Sequence, residues 1–167
     1  HNLREIGYPD KTAMKVDYYG KEDFENVKAV TDRDGTMTEY TYKFNPANLT
    51  ENKVGVQIKT KDGKVIAKSN YEYQFKRKTD GELWTYKLTS SIDGDVTETV
   101  YNECCGLPVS IKKDGETTEF VYDAKGRVTR KATPLDVTEL SYDQKVGKVS
   151  RVSKYPTGRA KDARWSE

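Results

Sequence analysis

The 167-residue chain has one histidine, two cysteines and two tryptophans. The histidine is residue 1, so no internal Ser-His-Asp or Cys-His arrangement exists, and a zinc site built on histidine is excluded as well. No run of roughly eighteen apolar residues occurs, so no membrane-spanning helix is expected. No signal peptide is visible, and no glycine-rich loop is placed to cradle a phosphate. Charge of one sign is also missing. Twenty-nine Lys and Arg are mixed with twenty-seven Asp and Glu for a net charge of +2, which leaves no nucleic-acid footprint and predicts no nucleic-acid partner.

Apolar residues are scarce too, at 34% against the roughly 45–50% usual in a globular domain. Disordered chains share that scarcity, but they carry high net charge and few aromatics. Here aromatics reach 11%, with twelve tyrosines. Tyr, Val and Thr recur at alternating positions, which suits half-buried strands. No convincing helical period occurs. Residues 21–30, "KEDFENVKAV", admit helical spacing, yet in register they fall on a strand. The expectation is one all-β domain with a thin core over residues 1–155, followed by a tail over 156–167. Lys154, Arg159, Lys161 and Arg164 give that end a basic bias, read as a solvated terminus. The opening His1-Asn2-Leu3 is already strand-like, which points to a piece of a longer protein or a processed chain.

The alternation repeats. Six segments close on a tyrosine: Tyr18 in "MKVDYYG", Tyr42 in "TEYTYKF", Tyr73 in "NYEYQF", Tyr101 in "TETVYNE", Tyr122 in "TEFVYDA" and Tyr142 in "TELSYDQ". Their spacing tightens to about twenty residues toward the C-terminus. An Asp-Gly pair lies upstream in four copies, at Asp34-Gly35, Asp62-Gly63, Asp93-Gly94 and Asp114-Gly115. Pro9-Asp10 and Pro134-Leu135-Asp136 take its place in the first and last copies. Asp-Gly between alternating segments signals a hairpin, because both central residues of a type I′ turn need positive φ. Each unit therefore reads strand, tight turn, strand, looser turn, and residues 45–52 form one of the looser connections. Period two places the paired positions on one face. Tyr40, Tyr42, Tyr71, Tyr73, Tyr101, Phe120, Tyr122 and Tyr142 would then line one side of a sheet, held by cross-strand pairs. With Trp84 they form the candidate binding face, since exposed aromatic rings stack on sugars. The competing reading is that they pack the sheet, with each hydroxyl at water.

Other groups carry less. Cys104-Cys105 occupy an inter-repeat turn, equivalent to Ala124-Lys125. Two free thiols facing opposite ways at a strand end are expected, with a vicinal disulfide or a bond to another chain as alternatives, because disulfide geometry is demanding. The turn aspartates are too sparse for a calcium site, and no pair of carboxylates stands out as catalytic. No metal, cofactor or catalytic residue is therefore assigned. Asn48-Leu49-Thr50 matches a glycosylation sequon.

Six copies in register resemble the YD-repeat, or RHS-repeat, family over about residues 3–155. The family pattern runs from a Gly-Arg-Leu/Val opening through a glycine turn to an aromatic-x-Tyr-Asp close. "GRVTRKATPLDVTELSYD" (126–143) and "GLPVSIKKDGETTEFVYD" (106–123) match it best, and "LREIGYPDKTAMKVDYY" (3–19) more loosely, with Tyr19 in place of Asp. Lys43, Gln74 and Asn102 stand at the Asp position in copies two to four. The resemblance implies an antiparallel meander of repeated β-hairpins in an extended, twisted or spiralling sheet. It also implies a large secreted or cell-surface protein, mostly bacterial, whose sheet in toxin members closes into a shell around a toxin domain. It supplies no catalytic residue. Function is thus expected to be structural, with neighbouring repeats or domains as partners. The alternative is an adhesion module that holds carbohydrate or protein on its tyrosine-rich face.

Overall fold

The computed structural model describes residues 2–21, 25–45 and 47–158. It is all-β: thirteen strands hydrogen-bonded in strict sequence order, without a crossover. They are β1 (Glu5–Gly7), β2 (Ala13–Tyr18), β3 (Val27–Thr31), β4 (Met37–Lys43), β5 (Asn52–Lys59), β6 (Val65–Arg77), β7 (Leu83–Ile92), β8 (Asp95–Tyr101), β9 (Pro108–Lys113), β10 (Glu116–Tyr122), β11 (Val128–Ala132), β12 (Asp136–Tyr142) and β13 (Val149–Pro156). Every repeat tyrosine lies on an even-numbered strand, and four of the six are its last residue. The strand β3 begins only at Val27, later than expected from residue 21, and residues 22–24 lie outside the described residues. The tail beyond residue 158, with Arg159, Lys161 and Arg164, lies outside them too.

The chain divides into two compact units, His1–Gln74 with Ser90–Asp95, and Phe75–Thr89 with Val96–Glu167. In the first unit the two faces separate by chemistry. Directly opposed residues share a face, so Tyr40, Val56 and Ser69 lie on the same side as Tyr42, Val54 and Tyr71. The other side carries Glu39 and Gln57, Thr41 and Gly55, and Lys43, Lys53 and Glu72. The aromatic column is therefore not tyrosine on tyrosine: Val54 stands between Tyr42 and Tyr71. In the second unit, register places Thr99, Ile111, Thr118 and Phe120 on one side, and Lys131 and Thr138 continue it. Tyr101, Tyr122 and Tyr142 follow on that side by alternation.

The core is as thin as the composition requires. Among the described residues the buried apolar side chains are Val16, Ala29, Ala132 and Val137, and no large side chain is fully enclosed. Burial of apolar area contributes about 25 cal/mol per Å², so a sheet this open draws more of its stability from strand pairing and turns.

The turns divide the Asp-Gly pairs into two kinds. At Asp93-Gly94 and Asp114-Gly115 both residues have positive φ, as a two-residue hairpin requires. At Asp34-Gly35 and Asp62-Gly63 only the glycine does. There the loop is one residue longer: the Asp32 amide bonds the Thr36 carbonyl at 2.8 Å and the Gly35 amide bonds the Asp32 carbonyl at 2.9 Å. That is a type I turn finished by a left-handed residue, so only Gly needs the left-handed conformation. Asp80-Gly81 closes a loop of the same form between Lys78 and Glu82. At Gly35 (φ +88°) a Cβ would also meet the Lys61 stem at 2.9 Å, whereas at Gly63 (φ +85°) it would meet nothing within 4 Å. Gly35→Ala is therefore expected to lower stability by more than the roughly 1–2 kcal/mol of left-handed strain alone. Gly63→Ala should show only the strain, and paired urea melts measure the difference.

The cysteine expectation is corrected here. A disulfide joins Cys104 to Cys105. Along a strand, adjacent side chains point to opposite faces. These two lie instead in the turn between β8 and β9, where the chain curls and that alternation ends.

Candidate functional site

The tyrosines that close the repeats are anchored by their hydroxyls. Tyr122 Oη donates to the Pro108 carbonyl at 2.6 Å and Tyr142 Oη to the Val128 carbonyl at 2.7 Å, each spanning fourteen residues. Tyr18 Oη does the same to the Leu3 carbonyl at 2.7 Å over fifteen. Each acceptor lies at or before the start of the preceding strand. The ladder between β9 and β10 ends at Ser110 opposite Glu119, and that between β11 and β12 at Arg130 opposite Glu139. The tyrosine hydroxyl thus takes a carbonyl past the last ladder pair, supplying a donor where the paired strand supplies none. Opposite Tyr18, Tyr101, Tyr122 and Tyr142 the register shifts by one residue. Such a bulge bends the strand and increases local twist, and it recurs at one place in the repeat.

The residue after the tyrosine holds the next turn. Asp123 Oδ1 accepts from the amides of Lys125 and Arg127, both at 2.9 Å. Asp143 Oδ1 accepts from Lys145 and Val146, both at 2.8 Å. Asn102 Oδ1 accepts from Cys105 at 3.3 Å and Leu107 at 3.0 Å. The carboxylate is therefore used as a carbonyl-like acceptor, a role that asparagine fills equally well.

Arg127 joins one repeat to the next. Its Nε and Nη2 both reach the one oxygen Asp123 Oδ2, at 2.8 and 2.7 Å, while Oδ1 stays on the turn amides. Its Cζ lies 4.2 Å above the Tyr142 ring, and Nη1 donates to the Gly147 carbonyl at 3.3 Å. One planar side chain thus touches Asp123 of one copy, the ring that closes the following copy, and the turn beyond it.

These contacts set the protonation states. The Arg127 amide and guanidinium hold the Asp123 carboxyl below the usual range. The amides of Val146 and Lys145 do the same for Asp143, as do the Thr36 amide and hydroxyl for Asp34. Burial pushes the Tyr122 phenol up, keeping it a neutral donor. A carboxyl with a depressed folded pKa adds stability that is complete above its unfolded pKa and is lost as pH falls through the folded value. The unfolding midpoint should therefore stay flat from pH 7 to about 5 and drop below about pH 4. Asp123→Asn and Asp143→Asn keep Oδ1 and should flatten the acid limb, which a pH series of thermal melts would measure.

The predicted face divides between the units. Tyr40, Tyr42, Tyr71 and Tyr73 lie in the first. Trp84, Tyr101, Phe120, Tyr122 and Tyr142 lie in the second. Of these only Tyr42 is exposed. Its ring meets Tyr19 edge-on at 6.1 Å, and the Tyr19 hydroxyl donates to the Tyr40 carbonyl at 2.8 Å. Phe120 stacks beside Tyr122 at 6.5 Å, and Trp84 meets Tyr86 edge-on at 5.9 Å. On the polar side of the first unit, Gly55 lies in a groove of about 350 Å³. Thr41 and Asn70 flank it, and the Lys53–Glu72 ion pair at 2.6 Å lies beside it. Sequence reading passed over this groove. Its only signal was a glycine inside the alternating run of β5. Among the described residues no group of three or more His, Cys, Asp or Glu is placed to hold a metal ion, and no helix is long and apolar enough to cross a membrane.

No protein-family model matches the chain, and no curated protein matches it in sequence.

Proposed function

We propose that the chain is a non-catalytic structural segment of a larger secreted or cell-surface protein of the YD/RHS-repeat type, a stretch of wall in the shell around a toxin domain. The observation that carries this reading is the use made of the motif side chains. Tyr122, Asp123, Arg127 and Tyr142 spend their polar groups on the backbone and on each other. Groups committed in this way are not presented to a ligand. The partners are then further hairpins or domains of the full-length protein.

A second reading is favoured by one feature, the groove over Gly55, which offers the Thr41 hydroxyl, the Asn70 amide and the Lys53–Glu72 ion pair. In that reading the chain is an adhesion module that holds carbohydrate. A glycan array on wild type and Tyr122→Ala, run beside thermal melts, separates the two. The structural reading expects no saccharide bound and a lowered melt for the variant. A saccharide bound by wild type and lost in Tyr122→Ala at an unchanged melting temperature would overturn it. Binding lost in Asn70→Ala instead would assign the groove.

A further inference from the structure

The disulfide turn has an internal control. The turn from Asn102 to Leu107 and the turn from Asp143 to Lys148 are built alike. In each, the first amide bonds the last carbonyl, at 2.9 and 2.8 Å, and the glycine amide bonds the first carbonyl, at 3.3 and 3.0 Å. In each, the first side chain accepts from two amides through Oδ1, those of Cys105 and Leu107 in the one and of Lys145 and Val146 in the other. Gly106 and Gly147 both adopt positive φ, +64° and +70°. Lys145-Val146 thus stands where Cys104-Cys105 stands, and the same turn forms without sulfur.

The bond is also useless as a brace. A disulfide stabilises chiefly by restricting the unfolded chain, and the effect grows with the loop it closes. Here the residues are adjacent in sequence, so almost no loop is closed. Both cysteines are exposed, and exposed disulfides are the labile ones open to attack by thiolates.

We propose that Cys104–Cys105 is a thiol–disulfide exchange site for thiolates that reach the surface of the sheet. An incoming thiolate attacks one Sγ, the Sγ–Sγ bond breaks, and the other Sγ leaves as a thiolate. The product is a mixed disulfide with a free thiolate on the neighbouring residue. That thiolate re-attacks and returns the original bond, or a second external thiolate attacks the mixed disulfide. The second course leaves the pair reduced by two electrons and the external thiols joined as their own disulfide. The source of the thiolate is a small thiol or a cysteine of another chain.

The test uses the oxidised, native chain. After treatment with dithiothreitol and removal of reductant, intact mass is read following maleimide labelling without denaturant. Two labels per chain are expected, with a thermal midpoint moved by less than about 2 °C. The double variant Cys104→Lys/Cys105→Val, which copies the Lys145-Val146 pair, should melt with the wild type and take none. Incubation of the oxidised chain with glutathione should give a mixed-disulfide adduct. A covalent dimer on a non-reducing gel, formed after partial reduction and absent in the variant, would place the exchange between chains and equally support the proposal. Labelling only after denaturation, or full labelling before any reductant, would overturn it. So would a midpoint that drops by more than about 5 °C on reduction, since the bond would then be a brace.

Discussion

Tyr142→Ala is expected to lower stability by about 3 kcal/mol, and Tyr142→Phe by only about 1 kcal/mol. The alanine change removes a half-buried ring, the hydroxyl bond to the Val128 carbonyl at 2.7 Å, and the surface beneath Arg127. The phenylalanine change keeps the ring and removes the bond. In a chain this size the larger loss lowers the melting temperature by several degrees, about 2–4 °C per kcal/mol. Amide exchange should locate it: the ends of β11 and β12 should open first, because the hydroxyl closes the ladder at that point. A uniform loss of protection would instead point to general core damage.

Arg127→Ala is expected to cost about 2 kcal/mol, and Arg127→Lys nearly as much. Lysine keeps the charge but not the planar fork that grips Asp123 while lying flat over the Tyr142 ring. The contrast is Lys53, whose ion pair with Glu72 is equally short at 2.6 Å, with about half of each side chain exposed. Arg127 and Asp123 are only 22% and 23% exposed. Lys53→Ala should therefore change stability by less than about 0.5 kcal/mol. Urea unfolding of the three variants orders them. Equal losses for Lys53→Ala and Arg127→Ala would mean that Arg127 is only another surface charge.

The meander was legible because its signals are local. Alternation marks the strands, and Tyr18, Tyr101, Tyr122 and Tyr142 mark their ends. At Asp114-Gly115 and Asp93-Gly94 the turn residues alone specify the hairpin. Asp34-Gly35 shows the limit. The same dipeptide serves a longer turn when the flanking register demands it, and register depends on the partner strand. Asp80-Gly81 went unread because it joins repeats rather than closing one, so the tyrosine that stands seven residues after Gly35, Gly94 and Gly115 is missing there. Asn102 looked like a departure from the Tyr-Asp pattern, yet its side-chain oxygen does the work of Asp143. A letter-based pattern separates two residues that the backbone uses alike.

The bonds from the tyrosine hydroxyls to the backbone were not legible. The reach of Tyr122 to Pro108 depends on where the ladder between β9 and β10 ends, which the letters of one repeat do not give. Arg127 was visible only as part of a Gly-Arg-Val opening. Its partners, Asp123 and Tyr142, lie on either side of it in sequence and meet it only once the strands pair. Phe120 and Tyr122 lie two residues apart on β10 with their rings stacked. What the Tyr122 hydroxyl does there depends on the neighbouring strand.

The central claim is that the motif residues spend their side chains on one another and on the backbone, and so hold the sheet together. A double-mutant cycle on Arg127→Ala and Tyr142→Ala, followed by urea unfolding at neutral pH, tests it most directly. Arg127 opens the copy that Tyr142 closes, and the two side chains, fifteen residues apart, meet at 4.2 Å. A coupling energy of about 1 kcal/mol is expected. Additivity within about 0.3 kcal/mol would contradict the claim.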